Sequence, residues 1–274
     1  MDDLVISVKD LYKDYTYYKT NHQKIQGEIF GRDTGVPQPA LKGISFDVKR
    51  GEKIALIGRR GSGRSTLLRI LSGVIQPDSG TVTVNGKVTS IVNLRTTFDS
   101  ALTGRDNLRM RASLMGWSKD FLHEHEQEII EFADLQDIID QPVSTYQVGS
   151  ATRLGFAMET TVKPEILLYD EWFAVGLEYV TRCIERLKQL IDGDDSTMIM
   201  VFSNIAVSRK LCTRGIVLQN GDIVFDGKYK DAIKYYRANC KVDAGDNDED
   251  ENSNSDSNDS QDVDDSSDSD FGDF

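Results

Sequence analysis

Nine residues, GRRGSGRST at positions 58–66, follow the apolar run KIALI and precede LLRILSG. Their spacing is that of a phosphate-binding loop, GxxxxGK[ST], with Arg64 at the lysine position. In such a loop the glycines let backbone N–H groups close around phosphate oxygens, and the positive end of the next helix adds its dipole. Gly58, Gly61, Gly63, Ser65 and Thr66 keep that pattern, with Arg59, Arg60 and Ser62 between the glycines. The Ser65 hydroxyl would hold Mg2+, and a lysine would reach the β- and γ-phosphates. Arg64 keeps the charge, but its guanidinium is planar and longer, so the exchange is not conservative in a tight cradle. An ordinary glycine-rich turn is the competing reading. A buried strand before the loop and an apolar helix after it favour the phosphate site.

A second group stands at ILLYDE, residues 166–171. A carboxylate at the end of a buried strand sits beside the phosphates in this kind of site and holds Mg2+, which is the role expected of Asp170. Glu171 is then placed to orient or deprotonate a water. Alone, the pair would read as a strand ending in solvated acids. The phosphate loop upstream turns the balance.

These groups need a scaffold. Alternating or apolar runs predict strands at VISVKDL, ISFDVK, KIALIG, GTVTVNG and KVTSIVNL. A helix should start in the glycine-rich loop and stop at Gly73. Residues 103–162 read as helical, in the stretches TGRDNLRMRASLMG, SKDFLHEHEQEIIEFADL and ATRLGFAMETTV. Thr103 with Asp106 three residues on is a helix-start signal. PEILLYDE and STMIMVFS read as buried strands, and VGLEYVTRCIERLKQLI, AVSRKLC and KYKDAIKYYRANC as helices. RGIVLQNGDIVFDG places NG between two alternating runs, a strong hairpin signal. The sum is an α/β core with a helical subdomain.

The formal charge of −13 is not spread evenly. Of 45 acidic residues, 14 lie from Asp243 onward, where there is no Lys or Arg, leaving 31 acids against 32 bases before it. The folded part, residues 1–240, is thus expected to be near neutral. The Asp/Ser-rich tail, residues 241–274, is expected to stay disordered, because it has too little apolar surface to offset its ordering entropy. A solubilising role fits that tail, with docking to a basic partner as the alternative. It argues against a nucleic-acid or anionic-lipid partner. Its DFG, residues 270–272, lacks an HRD-type loop upstream and is not read as part of a kinase. Cys183, Cys212 and Cys240 show no metal-ligand or disulfide spacing. No apolar run is long enough to span a bilayer, and the acidic start MDDLVISVKD lacks a signal-peptide pattern.

With these motifs in view, most of residues 4–237 resembles the ATP-binding subunit of an ABC transporter, in particular the polysaccharide exporters of capsule, O-antigen and teichoic acid. LKGISFDVKRGEKIALIGRRGSGRSTLLRILSGVIQPDSGTVTVNGKV, LTGRDNL, KIQGEIFGRD, LYDEWFAVG and the closing RGIVLQNGDIVFDG carry the likeness. The resemblance implies a P-loop NTPase core of ABC ATPase type, with an antiparallel β subdomain and a helical subdomain at about residues 100–160. It implies ATP and Mg2+ as cofactors, a second ATP-binding subunit (identical or different) closing head to tail, and a membrane-spanning subunit as partner. The place implied is cytoplasmic, on the inner face of the membrane.

Residue by residue, the family pattern is also broken. The signature loop, usually LSGGQ, falls on Tyr146, Gln147, Val148, Gly149 and Ser150, where Gly149 alone clearly matches and Gln147 replaces the phosphate-contacting serine. The switch histidine falls on Asn204, and the only histidines are His22, His123 and His125. Asn204 offers one hydrogen bond to phosphate but carries no proton. No glutamine stands near residues 95–99, and Leu177 follows Gly176 where an Asp is usual. Tyr15 falls near the adenine-stacking aromatic, with Tyr12, Tyr17 and Tyr18 as competitors. The resemblance makes Glu171 and Asn204 the catalytic candidates and adds Gly149 and Tyr15 to the nucleotide-binding ones.

Overall fold

The computed structural model describes residues 3–18, 35–91, 98–170, 177–193, 195–201 and 205–240. Two sheets form its frame. Strands β1 (Leu4–Tyr17), β2 (Val36–Lys49) and β4 (Ser79–Val84) make an antiparallel sheet in the order β2-β1-β4. The second sheet has the order β5-β6-β7-β3-β8-β9, from β3 (Lys53–Ile57), β5 (Val88–Ile91), β6 (Ile166–Asp170), β7 (Thr197–Val201), β8 (Arg214–Gln219) and β9 (Asp222–Lys228). Its pairings are parallel except the β8–β9 hairpin.

The central strands are apolar and buried through their middles because both faces are covered, as parallel sheets require. Alternation divides their side chains between two cores. Ile54, Leu56, Ile166, Leu168, Ile199, Val201, Ile216 and Leu218 pack with helix α1 (Arg64–Leu71) and the antiparallel sheet. Ala55, Ile57, Leu167, Tyr169, Met198, Met200 and Val217 pack on the other face. There they meet α5 (Leu177–Ile191), α6 (Ile205–Leu211) and α7 (Tyr229–Asn239). Helix α1 ends as expected, with Ser72 as C-cap and Gly73 in the left-handed region at φ 75°.

Three helices between the strands, α2 (Gly104–Leu114), α3 (Lys119–Phe132) and α4 (Ser150–Glu159), share a separate core of Leu108, Ala112, Ile129, Ile130, Leu135, Ile139, Leu154 and Met158. The first of them starts on the Thr103–Asp106 pattern read from sequence, and the second is capped by Ser118. Thr103 Oγ1 accepts from the Asp106 backbone N–H and donates to its carboxylate, and Ser118 Oγ accepts from Phe121 N–H.

Asn107 is the polar knot of this unit and is fully buried. Its amide donates to the carbonyls of Asp99 and Thr103 at 2.8 and 2.9 Å, and its Oδ1 accepts from Asp99 N–H at 2.7 Å. Removing one partner of a buried hydrogen bond costs about 1–3 kcal/mol for each group left without one. Asn107→Leu is therefore expected to lower the midpoint of a thermal or urea melt clearly, while exposed Asn239→Leu leaves it almost unchanged.

Candidate functional site

The phosphate loop sits where β3 hands over to α1. Its shape follows from two close backbone approaches. Gly63 is the N-cap of α1 at φ 107°, and a Cβ there would lie 2.5 Å from the Ala40 carbonyl oxygen. At Gly58 a Cβ would lie 2.4 Å from the Leu218 carbonyl oxygen. Only glycine fits either place. Between them Ser62 N–H donates to the Arg59 carbonyl at 3.0 Å and closes the turn.

The loop is open where a ligand would enter it. The Gly63 N-cap makes no side-chain cap hydrogen bond, and the first N–H groups of an α-helix have no carbonyl partner within the helix itself. Ser62 is buried, and its Oγ has no hydrogen-bond partner among the described residues. A buried hydroxyl left this way is costly unless a ligand or water completes it. Arg64, Ser65 and Thr66 form the first turn of α1 and are half-buried. Cationic, hydroxyl and amide groups thus converge on one helix end, which suits an anionic phosphate chain.

Asp170 ends β6 and is half-buried. The register puts it opposite Val201 of β7, which in turn faces Leu56 of β3. Asp170 is therefore level with the end of β3, two strands away, or roughly 10 Å at the usual strand spacing. Alternation places it on the Ile166 and Leu168 face, the face that packs against α1. A hydroxyl from Ser65 and this carboxylate are both hard oxygen donors, the chemistry that Mg2+ prefers. Glu171 and Asn204 lie outside the described residues, as do residues 95–97 of the segment read for a glutamine and the KIQGEIFGRD stretch.

Tyr15 is brought to the rim of the loop. Its hydroxyl lies 3.5 Å from Thr66 Oγ1, and the side chain is 41% exposed. The Tyr12 ring instead lies over Gly43, where its hydroxyl fills the space a Cβ would need. Tyr17 ends β1, at 60% exposure. The strand carrying Tyr15 is pinned by Asp78, which takes Lys13 Nζ at 2.7 Å and Asp14 N–H at 2.6 Å. Those two donors hold the Asp78 carboxyl below its ordinary value.

A second glycine-headed helix end lies at α4. Gly149 is its N-cap at φ 99°, and no side chain caps it among the described residues. Gln147 and Val148 project from the turn before it, with Val148 at 85% exposure. Ser150 is buried and its Oγ accepts from the Arg153 guanidinium at 3.2 Å. Arg153 reaches Asp134 at 3.5 Å, and Asp134 receives Arg182 of α5 on both oxygens at 2.7 and 2.8 Å. Sequence reading missed this link between α4 and α5. Asp134 has a left-handed backbone at φ 54°, which places its side chain for both arginines and carries no pattern visible in one sequence. On the other side, Tyr146 donates to the Ile138 carbonyl at 3.0 Å and packs over Gly104, so the LTGRDNL stretch supports the turn. Arg105 reinforces it by pairing with Asp140 and Glu126.

Comparison with known proteins agrees with this geometry. Residues 41–174 match the family described as ABC transporter. The O-antigen export system ATP-binding protein RfbB of Klebsiella pneumoniae is 34% identical over 240 residues, covering 85% of this chain and 97% of that one. The teichoic acids export ATP-binding protein TagH of Lactiplantibacillus plantarum is 33% identical over 234 residues, covering 85% and 64%. The ABC transporter protein AbcA of Aeromonas salmonicida is 32% identical, covering 86% and 77%. Among solved structures, a dimeric ATP-binding cassette in a post-hydrolysis state with ADP and Pi superposes with a TM-score of 0.66 at 20% identity, covering 82% of this chain and 98% of that one. That likeness concerns the fold.

Proposed function

Since this chain belongs to the ABC transporter family, as an ATP-binding subunit, we propose that it energises export of a cell-surface polysaccharide by binding and slowly hydrolysing Mg-ATP. The observation that carries the nucleotide site is the glycine-framed, uncapped start of α1 with Asp170 on the same face of the sheet. That the similar TagH and RfbB are teichoic acid and O-antigen export proteins supports polysaccharide as cargo.

In this reading the backbone amides of the 58–66 loop hold the phosphates and Arg64 supplies the fixed positive charge. Tyr15 lies along the adenine. Ser65 and Asp170 would hold Mg2+, which would supply charge neutralisation to the phosphates. Glu171 orients the attacking water, and Asn204 offers one hydrogen bond. The Gln147–Gly149 turn faces the nucleotide of a second ATP-binding subunit. No helix among the described residues is long and apolar enough to cross a membrane, so a membrane-spanning partner is required to form the path. The subunit then sits at the inner face of the membrane, with residues 1–240 as the nucleotide-binding domain and residues 241–274 as a solubilising tail.

Slow turnover is part of the proposal. Loss of one transition-state donor costs on the order of 10²–10³ in rate, and Arg64, Gln147 and Asn204 each depart from the family at such a place. The test is calorimetric titration of the purified protein with Mg-ATP beside Gly63→Val. Saturable binding is expected in the wild type and not in the variant, whose Cβ has no room. Absence of wild-type binding at millimolar nucleotide would overturn the reading. Binding with no phosphate release would instead make the chain a non-hydrolysing subunit, the alternative reading that those three departures raise.

A further inference from the structure

The NG of the closing hairpin, Asn220 and Gly221, makes more than a chain reversal. Both residues have positive φ, 53° and 90°, and Gln219 pairs with Asp222 across them. That is a two-residue turn of the kind matching strand twist. A hairpin at a sheet edge normally points such a turn at water. Here Gly221 is buried.

What buries it is the phosphate loop and the antiparallel sheet. Gly221 N–H donates to the Ser62 carbonyl at 3.2 Å, and its own carbonyl accepts from Lys42 N–H at 2.9 Å. The Ala40 carbonyl oxygen is wedged between two glycines. It lies 3.0 Å from where a Gly221 Cβ would be and 2.5 Å from where a Gly63 Cβ would be. Three residues before Gly221, the Leu218 carbonyl oxygen fills the space against Gly58. Both glycines that shape the phosphate loop are thus braced by the hairpin, Gly58 directly and Gly63 through Ala40. At the same junction, Gln219 Oε1 lies 3.9 Å from Cys240 Sγ at the end of α7.

We propose that the Asn220–Gly221 turn is a positioning strut for the nucleotide's phosphates, with Gly221 the residue that fixes the phosphate loop against the β1–β2 sheet. The inference rests on the ATP-binding reading. Physically, a methyl group on Gly221 meets the Ala40 carbonyl first, at 3.0 Å, so either Ala40 shifts toward Gly63 or the Gly221 backbone shifts and takes with it the N–H that holds the Ser62 carbonyl. Each movement re-aims amides that surround the phosphate chain. Amides that must converge on one anion lose much of their effect when displaced by a fraction of an ångström.

The test separates this from ordinary backbone strain. Gly221→Ala and Gly116→Ala both place a side chain at left-handed φ, 90° and 76°. The Gly116 Cβ meets nothing within 4 Å. Both variants are expected to melt below the wild type. Only Gly221→Ala is expected to weaken Mg-ATP binding, by tenfold or more in calorimetric titration. Should Gly221→Ala fail to fold, Gly221→Asn keeps the Cβ with less strain, since Asn tolerates this region, and is expected to show the same loss. Wild-type affinity in the Gly221 variants, or an equal loss in Gly116→Ala, would overturn the strut. If the wild type itself binds no Mg-ATP, the ATP-binding reading fails first, and the strut falls with it.

Discussion

Glu171→Gln is expected to lower phosphate release from Mg-ATP by at least a hundredfold while leaving the affinity for Mg-ATP within about threefold, since a positioned general base contributes on the order of 10²–10⁴ in rate and little to ground-state binding. The expectation follows from where the strand ends. Asp170 is on the α1 face at the level of the phosphate loop, and the family resemblance gives the acid that follows it in sequence the role of orienting the attacking water. Phosphate release and calorimetric binding on both proteins check the split. Equal release from the two would remove Glu171 from the chemistry. Release that is undetectable in both, with binding intact, would show that the departures at Arg64, Gln147 and Asn204 have already silenced turnover. The hydrolysing reading would then give way to a binding subunit that depends on an active partner.

How far the site was legible in sequence depends on the range of the contacts involved. The loop, the strand before it and the helix after it are local, and local spacing sufficed. The same is true of the Thr103 cap and the NG hairpin. The arms of the first hairpin were read too short: β1 runs on to Tyr17 and β2 starts at Val36. The reason is VPQPA, whose Pro37 and Pro39 argue against a strand. They are tolerated because β2 is the edge of its sheet, where a missing N–H need not face a partner. The extra length matters, because it carries Tyr15 to Thr66. The β8–β9 turn beside Ser62 and the Arg153–Asp134–Arg182 link are contacts between residues far apart in chain. No periodicity encodes them, so one sequence could not show them.

The second large effect concerns Arg64. Arg64→Ala is expected to weaken Mg-ATP binding roughly tenfold to a hundredfold, the equivalent of one charged hydrogen bond at about 1.5–3 kcal/mol. The helix dipole and the loop amides remain in that variant, so binding should be weakened and not abolished, unlike Gly63→Val, which removes the cradle itself. Arg64→Lys asks a different question. The side chain leaves α1 at its first residue, directly after Gly63, where Ala40 already occupies the space beside the backbone. A planar fork has fewer ways to approach the β- and γ-phosphates from so confined a start than a flexible ammonium has. Arg64→Lys is therefore expected to keep the affinity within about threefold and to raise phosphate release, since the gain lies in the transition state. Single-turnover measurements with saturating nucleotide would read that gain without interference from binding. A fall in turnover on introducing lysine would mean that the surrounding loop is shaped to the guanidinium. The arginine would then be the working group of this site, and slow hydrolysis would have to be traced to Gln147 and Asn204.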